Sequence, residues 1–401
     1  MSPTDRRWQA GVTRRQVLLT LAAAPVLGAL DERSLASADA TLVYVGTYTS
    51  AKSKGIYLFR LQNENVGGSA HVTLVPLGLA ADTPNPSFLA LDPTRRLLFA
   101  VNELDTFQGK PTGAVSAFSI DATSGALTLL NQQPSMGTSP CHLTLSPDGR
   151  HLFVANYGSG SVSVLPVGTN GRLSAASDVV QHSGRSVHPE RQQGPHAHCV
   201  TLDPATPLLW VCDLGLDQVL AYRFDARRGR LTPHDPPFAP LKPGAGPRHM
   251  VFRPDGRFAY VANELNSTIT VFRYDAGTGV LHDVQSVSTL PERFSGANTV
   301  AEIDVHPTGK WVYASNRGHN SVVLFNVDAD HGTLTYVEAQ GAAVAKPRHF
   351  GIEPSAQHLA IANQDADTVV VTRIDARTGR LTPSGAPVQA PTPVCVKFLP
   401  R

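Results

Sequence analysis

The chain has 401 residues and a formal charge of +2, from 34 lysines and arginines against 32 aspartates and glutamates. Such a balance leaves no basic footprint for nucleic acid and no polybasic tract for an anionic membrane surface. Four cysteines do not make a disulfide scaffold, no apolar run reaches the ~20 residues of a membrane span, and 33 glycines with 31 prolines supply the turns of one large all-β domain.

The first 38 residues read as an export address. Arg6, Arg7, Arg14 and Arg15 precede an apolar run from Val17 to Leu30, and Ala36-Ser37-Ala38 then offers small residues at alternate positions for cleavage. Arg14-Arg15, directly ahead of the apolar run, resembles a twin-arginine signal; an ordinary secretory signal is the alternative. The mature chain, residues 39–401, is therefore expected in the periplasm or outside the cell. Its formal charge is zero, because residues 1–38 hold five arginines and three acids.

From residue 41 onward one unit recurs: a short apolar strand, a turn containing proline, a second apolar strand, then a small polar residue. The turn prolines are Pro93, Pro147, Pro204, Pro254, Pro307 and Pro354, spaced 54, 57, 50, 53 and 47 residues apart. Nine residues after each stand Asn102, Asn156, Asp213, Asn263, Asn316 and Asn363. A third strand follows, then an Asp/Gly turn such as Asp275-Ala-Gly-Thr-Gly279, then a fourth strand. Four strands in about 50 residues is a propeller blade, and the mature length allows seven. The spacing predicts an all-β, seven-bladed β-propeller of four-stranded blades. Its ring closes by pairing the N-terminal strand Leu42–Thr47 with the C-terminal strand Pro393–Pro400, which removes an exposed sheet edge.

The first strand of a blade lines the central channel, and the end of the second strand returns to the same face. Six residues before the turn proline stand Ser87, Cys141, His198, Arg248, Ala301, Arg348 and, in the last segment, Val394. Five before stand Phe88, His142, Cys199, His249, Glu302, His349 and Cys395; ten after stand Glu103, Tyr157, Leu214, Glu264, Arg317 and Gln364. Histidines, guanidiniums and carboxylates from different blades are thus expected around one mouth, with His196 just ahead of His198. The Asn at offset nine repeats in nearly every blade and reads as a turn-bonding structural residue. His142, His249 and His349 also repeat, so blade packing explains each as well as chemistry does. Arg248, Glu264, Glu302 and Arg317 break the repeat and stand out as functional. Cys199 and Cys212 fall opposite each other in one hairpin, where a disulfide and two buried thiols are both open.

These segments resemble a known family, the seven-bladed propeller lactonases that include bacterial 6-phosphogluconolactonase and, more widely, fungal carboxy-muconate cyclases. The match rests on Gly194-Pro195-His196-Ala197-His198, Gly246-Pro247-Arg248-His249-Met250-Val251-Phe252, Val261-Ala262-Asn263-Glu264-Leu265-Asn266, Lys346-Pro347-Arg348-His349-Phe350 and the opening Leu42–Thr49. It covers residues 41–401 and makes 39–401 one lactonase-like domain. Catalysis is expected from His198, Arg248, His249, Glu264 and Arg317, with His142, His196, Glu302, Arg348 and His349 holding substrate; Glu302, Arg348 and His349 come from the mouth positions alone, the other seven also from the resemblance. The resemblance implies hydrolysis of a sugar (aldono-)lactone without cofactor or metal, by a protein expected to be a monomer, its partner being the small-molecule lactone, with neither nucleic acid nor membrane bound. Export makes an unphosphorylated lactone the better fit to the compartment.

A neutral histidine, Glu264 or Glu302 could take a proton from water, while Arg248 and Arg317 meet developing negative charge. No Gly-x-Ser-x-Gly motif is present, which argues against a serine hydrolase. Other readings stay open: carboxy-muconate cyclase chemistry, a divalent metal among the histidines and Glu302, and a non-catalytic binding platform. On the sequence alone, Arg248→Ala and Glu264→Ala are expected to abolish activity and leave stability nearly unchanged.

Overall fold

A computed structural model describes residues 41–50, 52–66 and 69–399; the export segment lies outside the described residues. Seven four-stranded antiparallel sheets form the blades, and their innermost strands neighbour one another all round the ring. The first blade closes the ring as expected. Its inner strand is Pro393–Leu399 and its second strand Thr41–Thr47, with Leu42 opposite Leu399 and Gly46 opposite Cys395. Each later blade runs outward in chain order, and after the seventh the chain returns to supply the inner strand of the first.

Burial explains the composition of the strands. Second strands such as Leu97–Asn102, His151–Asn156 and Phe258–Asn263 are buried at every position, because a sheet covers each face. They therefore read as near-continuous apolar runs rather than alternating ones. Outer strands such as Leu381–Gln389 are largely exposed and are polar or proline-rich. The core lies between blades: Phe258, Tyr260 and Ala262 of the fifth blade pack on Val312, Val323 and Phe325 of the sixth.

The residues at offset nine are structural, in keeping with their repetition. Asn156 Nδ2 donates to Ser135 O at 3.1 Å, Asn316 Nδ2 to Thr289 O at 2.9 Å and Asn363 Nδ2 to Ala343 O at 2.9 Å. Each bond ties the end of a second strand to the loop entering its own blade. Asp213 accepts from the backbone of His196 at 2.7 Å and of Gly215 at 3.0 Å.

The outer Asp/Gly turns clasp adjacent blades. Tyr260 Oη donates to Gly332 O at 3.1 Å and Tyr313 Oη to Gly379 O at 2.7 Å. Gly332 has φ +68°, and a Cβ there would sit 2.3 Å from Cδ1 of Phe258, a fully buried ring. Left-handed strain and overpacking act together at this turn. Gly332→Ala is expected to cost about 2–3 kcal/mol, measured as a lower denaturant midpoint with an unchanged slope.

Candidate functional site

In a regular strand, adjacent side chains point to opposite faces. The two channel-end positions of each inner strand would then be split between channel and blade interior. Register shifts prevent this. Pro140 pairs with Asn156 and His142 with Ala155, leaving Cys141 as an extra residue; the same shift occurs at His198, Arg248 and Arg348. In the sixth blade the register slips between Val300 and Ile303. A bulge bends the strand and re-aims a side chain. Arg248 and its neighbour His249 consequently meet, Arg248 Nη1 donating to His249 Nε2 at 3.0 Å.

Two layers result. At the mouth Glu264 receives three guanidiniums. Arg248 Nε lies 3.1 Å and Arg317 Nη2 2.8 Å from Oε2, and Arg191 Nη2 lies 2.6 Å from Oε1. Arg248 Nη1 also donates to Ala301 O at 2.7 Å, and Arg317 Nη2 to Val300 O at 3.2 Å. Arg191 further donates to Tyr157 Oη at 3.2 Å. The His196 ring stacks on Tyr157 with centroids 4.5 Å apart. Across the mouth, Arg348 lies over the Tyr48 ring at 5.1 Å, and Tyr48 Oη donates to Glu103 at 3.0 Å.

Beneath lies a ring of Phe88, His142, His249, Glu302 and His349. Glu302 joins two histidines, with Oε1 3.0 Å from His249 Nδ1 and Oε2 3.3 Å from His349 Nε2. The bonds fix tautomers. Arg248 can only donate, so His249 Nε2 accepts and Nδ1–H points at Glu302. The Val396 amide donates to His349 Nδ1 at 3.3 Å, so its proton sits on Nε2 facing Glu302. Phe88 and His142 fill the rest, with ring centroids 4.0 Å apart. On the far side of this layer the channel widens to a cavity of about 600 Å³, reached by His142, Glu302, Asp304, His349 and Lys397.

The electrostatics follow from burial and neighbours. Burial alone would raise the Glu264 carboxyl, but Arg317, Arg248, His198 and Arg191 outweigh it and hold it far below the carboxylate range. Burial, then Arg248, pushes both His198 and His249 well below the ordinary histidine value. Burial lowers His349 to about 3 against the opposing pull of Glu302. These three imidazoles are neutral at neutral pH. Burial brings Arg317 down to about 10, still charged. Arg348 is desolvated too, yet Tyr48, Glu103 and Glu264 raise it. Asp304, below the ring, is pushed up to about 7 by burial and by Glu302.

All ten residues singled out in the sequence gather at this end of the channel. His198 packs edge-on against His249 at 5.3 Å, and its Nδ1 lies 3.7 Å from Cys141 Sγ. His196 stays at the rim, its Nδ1 2.9 Å from Tyr157 O. Sequence reasoning missed Arg191, Tyr48 and Lys397. Arg191 belongs to a long connection outside the repeat, and no blade alignment reaches it. Lys397 does sit in the repeat, two residues past Cys395, so alternation along the strand could have found it. Cys199 and Cys212 pair across their strands as expected, and all four cysteines are buried free thiols.

Among the described residues no three histidine, cysteine, aspartate or glutamate side chains are grouped to hold a metal ion. Glu302 with His249 and His349 comes nearest, but Arg248 and Glu302 engage both nitrogens of His249, and the Val396 amide engages Nδ1 of His349.

A closed ring of seven blades with these titratable groups at one end of its channel defines the class, a β-propeller enzyme. The family model described as lactonase, 7-bladed beta-propeller, matches residues 42–398, and the chain belongs to that family. It is 36% identical over 356 residues to a Bacillus subtilis protein named 6-phosphogluconolactonase, covering 89% of this chain and 97% of the relative. Among solved structures it resembles the periplasmic gluconolactonase of Pseudomonas aeruginosa, with TM-score 0.82 and 35% identity over 90% of this chain and 99% of that one. A putative 6-phosphogluconolactonase from Bacteroides fragilis gives TM-score 0.81 and 37% identity over 90% and 98%.

Proposed function

We propose that the protein hydrolyses an aldono-lactone at the channel mouth, without a metal, outside the cytoplasm. The observation that carries this is a neutral imidazole, His198, beside fixed guanidiniums. The hydrogen bonds of the described residues engage only its Nδ1, which leaves Nε2 to meet a water. His249, by contrast, spends both nitrogens on Arg248 and Glu302.

In this reading water attacks the lactone carbonyl carbon, and its proton passes to His198 Nε2. Arg248 Nη2 and Arg317 Nη1, which the ion pairs with Glu264 leave over, face the developing oxyanion. The ring C–O bond breaks, and the proton returns to the departing alkoxide as a hydroxyl. The product carboxylic acid then ionises. Glu264 holds the arginines in place and is too acidic to act as base; the Glu302 carboxylate orients His249 and His349 from below. Export is supported by the N-terminal pattern and by the periplasmic relative.

The test is a hydrolysis screen on residues 39–401 with glucono-1,5-lactone, its 6-phosphate and muconolactone, spontaneous opening subtracted. Turnover of a gluconolactone that resists chelator is the expected result. Loss with chelator would put a metal among the histidines, and turnover of muconolactone alone would shift the chemistry to the cyclase branch of the family.

A further inference from the structure

Arg191 is unlike the other two arginines on Glu264. Arg248 and Arg317 come from strands, and their side chains are 3% and 10% exposed; Arg191 comes from a loop and is 36% exposed. One nitrogen, Nη2, makes its bonds to both Glu264 and Tyr157. If it swings away, Glu264 keeps Arg248 and Arg317. Releasing Arg191 therefore strands no buried charge.

The loop beneath it is nevertheless rigid. It runs between the strands Asp178–Gln181 and Ala197–Leu202. His182 Nδ1 lies 2.6 Å from Asp213, Ser186 Oγ donates to Asp217 at 2.6 Å, and the buried Gln192 donates to Leu214 O at 2.8 Å. Gln192 also accepts from the His188 amide at 2.9 Å, and the Arg191 amide donates to His188 Nδ1 at 3.2 Å. The backbone is fixed and only the side chain is left to move, so the arm pays little entropy to reach a ligand.

The charges around it want an anion. Four guanidiniums, of Arg191, Arg248, Arg317 and Arg348, face three carboxylates, of Glu264, Glu103 and, one layer below, Glu302, which leaves positive charge in excess. Two of those arginines are committed to the strand-bound cluster where the reacting carbonyl would lie, and Arg348 is held over Tyr48. We infer that Arg191 is the specificity-determining residue of this site: it leaves Glu264 to clamp an anionic group carried by the sugar lactone at the end remote from the carbonyl. A planar fork of donors suits either a carboxylate or a phosphate there.

The inference rests on the lactonase reading, but its test is binding. Gluconate, glucarate and 6-phosphogluconate share one sugar-acid body and differ at C6, which carries a hydroxyl, a carboxylate or a phosphate. Calorimetric titration of the mature protein is expected to show about ten- to hundredfold tighter binding of at least one C6 anion than of gluconate. In Arg191→Ala that preference collapses to within about twofold while gluconate affinity is kept, and Arg191→Lys restores part of it. Thermal melting close to that of the wild type confirms that the variants fold. Which of glucarate and 6-phosphogluconate responds identifies the anion. A preference that survives in Arg191→Ala overturns the inference, as does a wild-type protein that favours neither C6 anion. Lactone turnover without an Arg191-dependent preference would leave the lactonase reading standing and remove the arm. An Arg191-dependent preference without turnover on any lactone would do the reverse.

Discussion

Glu264→Gln is expected to lower kcat/KM for lactone hydrolysis by about 10²–10³-fold and to cost about 3–5 kcal/mol of folding stability. The sequence alone suggested that alanine at Glu264 or Arg248 would spare stability. Burial revises that expectation. Glu264 neutralises Arg191, Arg248 and Arg317, and its side chain is 5% exposed. An amide in its place leaves three guanidiniums facing one another without the carboxylate they share, two of them out of water. Breaking one partner of a buried ion network costs more than the network contributes. The arginines would spread apart, and the donors aimed at the carbonyl oxygen would go with them. Thermal melts of wild type and variant, each with and without added phosphate, check both halves. The variant should melt lower, and phosphate should raise its melting point more than that of the wild type by taking the vacated charge position. A variant that melts with the wild type would show that the carboxylate does not hold the cluster.

The architecture was legible because its signal is periodic. The turn prolines, the polar residue nine positions on and the Asp/Gly outer turns repeat under the same physical demands in every blade, so each copy corroborates the others. The ring closure was legible because the two end segments, Leu42–Thr47 and Pro393–Leu399, each lack the strand that the other supplies. The site was legible in part, by subtraction. Glu302 and Arg317 stand where every other blade carries a different residue, Arg248 and Glu264 recur only once each, as Arg348 and Glu103, and packing does not ask for them. What the sequence hid is non-local. The bulges at Cys141, His198, Arg248 and Arg348 set which side chains enter the channel, yet they shift the register without leaving a composition signal. The tautomers of His249 and His349 depend on donors from other strands. Arg191 sits in a loop whose course is set by Asp213, Asp217 and Leu214, more than 20 residues away.

His198→Gln is expected to reduce kcat by about 10²–10⁴-fold, the usual share of a general base, with a smaller change in KM. Its pH behaviour separates that role from a structural one. Burial and Arg248 depress His198, so the free base is present across the neutral range. Wild-type kcat/KM should therefore be flat around neutrality and fall only well below pH 6.5, where the imidazole takes its proton. Stability moves in the same direction for a related reason. His198, His249 and His349 all hold protons less tightly folded than unfolded. Below about pH 6.5 the unfolded chain binds the extra protons, and folding weakens as pH falls toward the depressed values, at up to about 1.4 kcal/mol per pH unit for each group. Asp304, displaced upward to about 7, binds its proton more tightly folded and offsets one of the three. Rates must accordingly be read at pH values where the enzyme, though less stable, stays fully folded at the assay temperature. In that window the acid limb should be present in the wild type and absent from the residual activity of His198→Gln. His249→Gln should retain it, since His249 is committed to Arg248 and Glu302 and does not touch the water. An acid limb that persists unchanged in His198→Gln would transfer the proton to another group and leave His198 a packing residue.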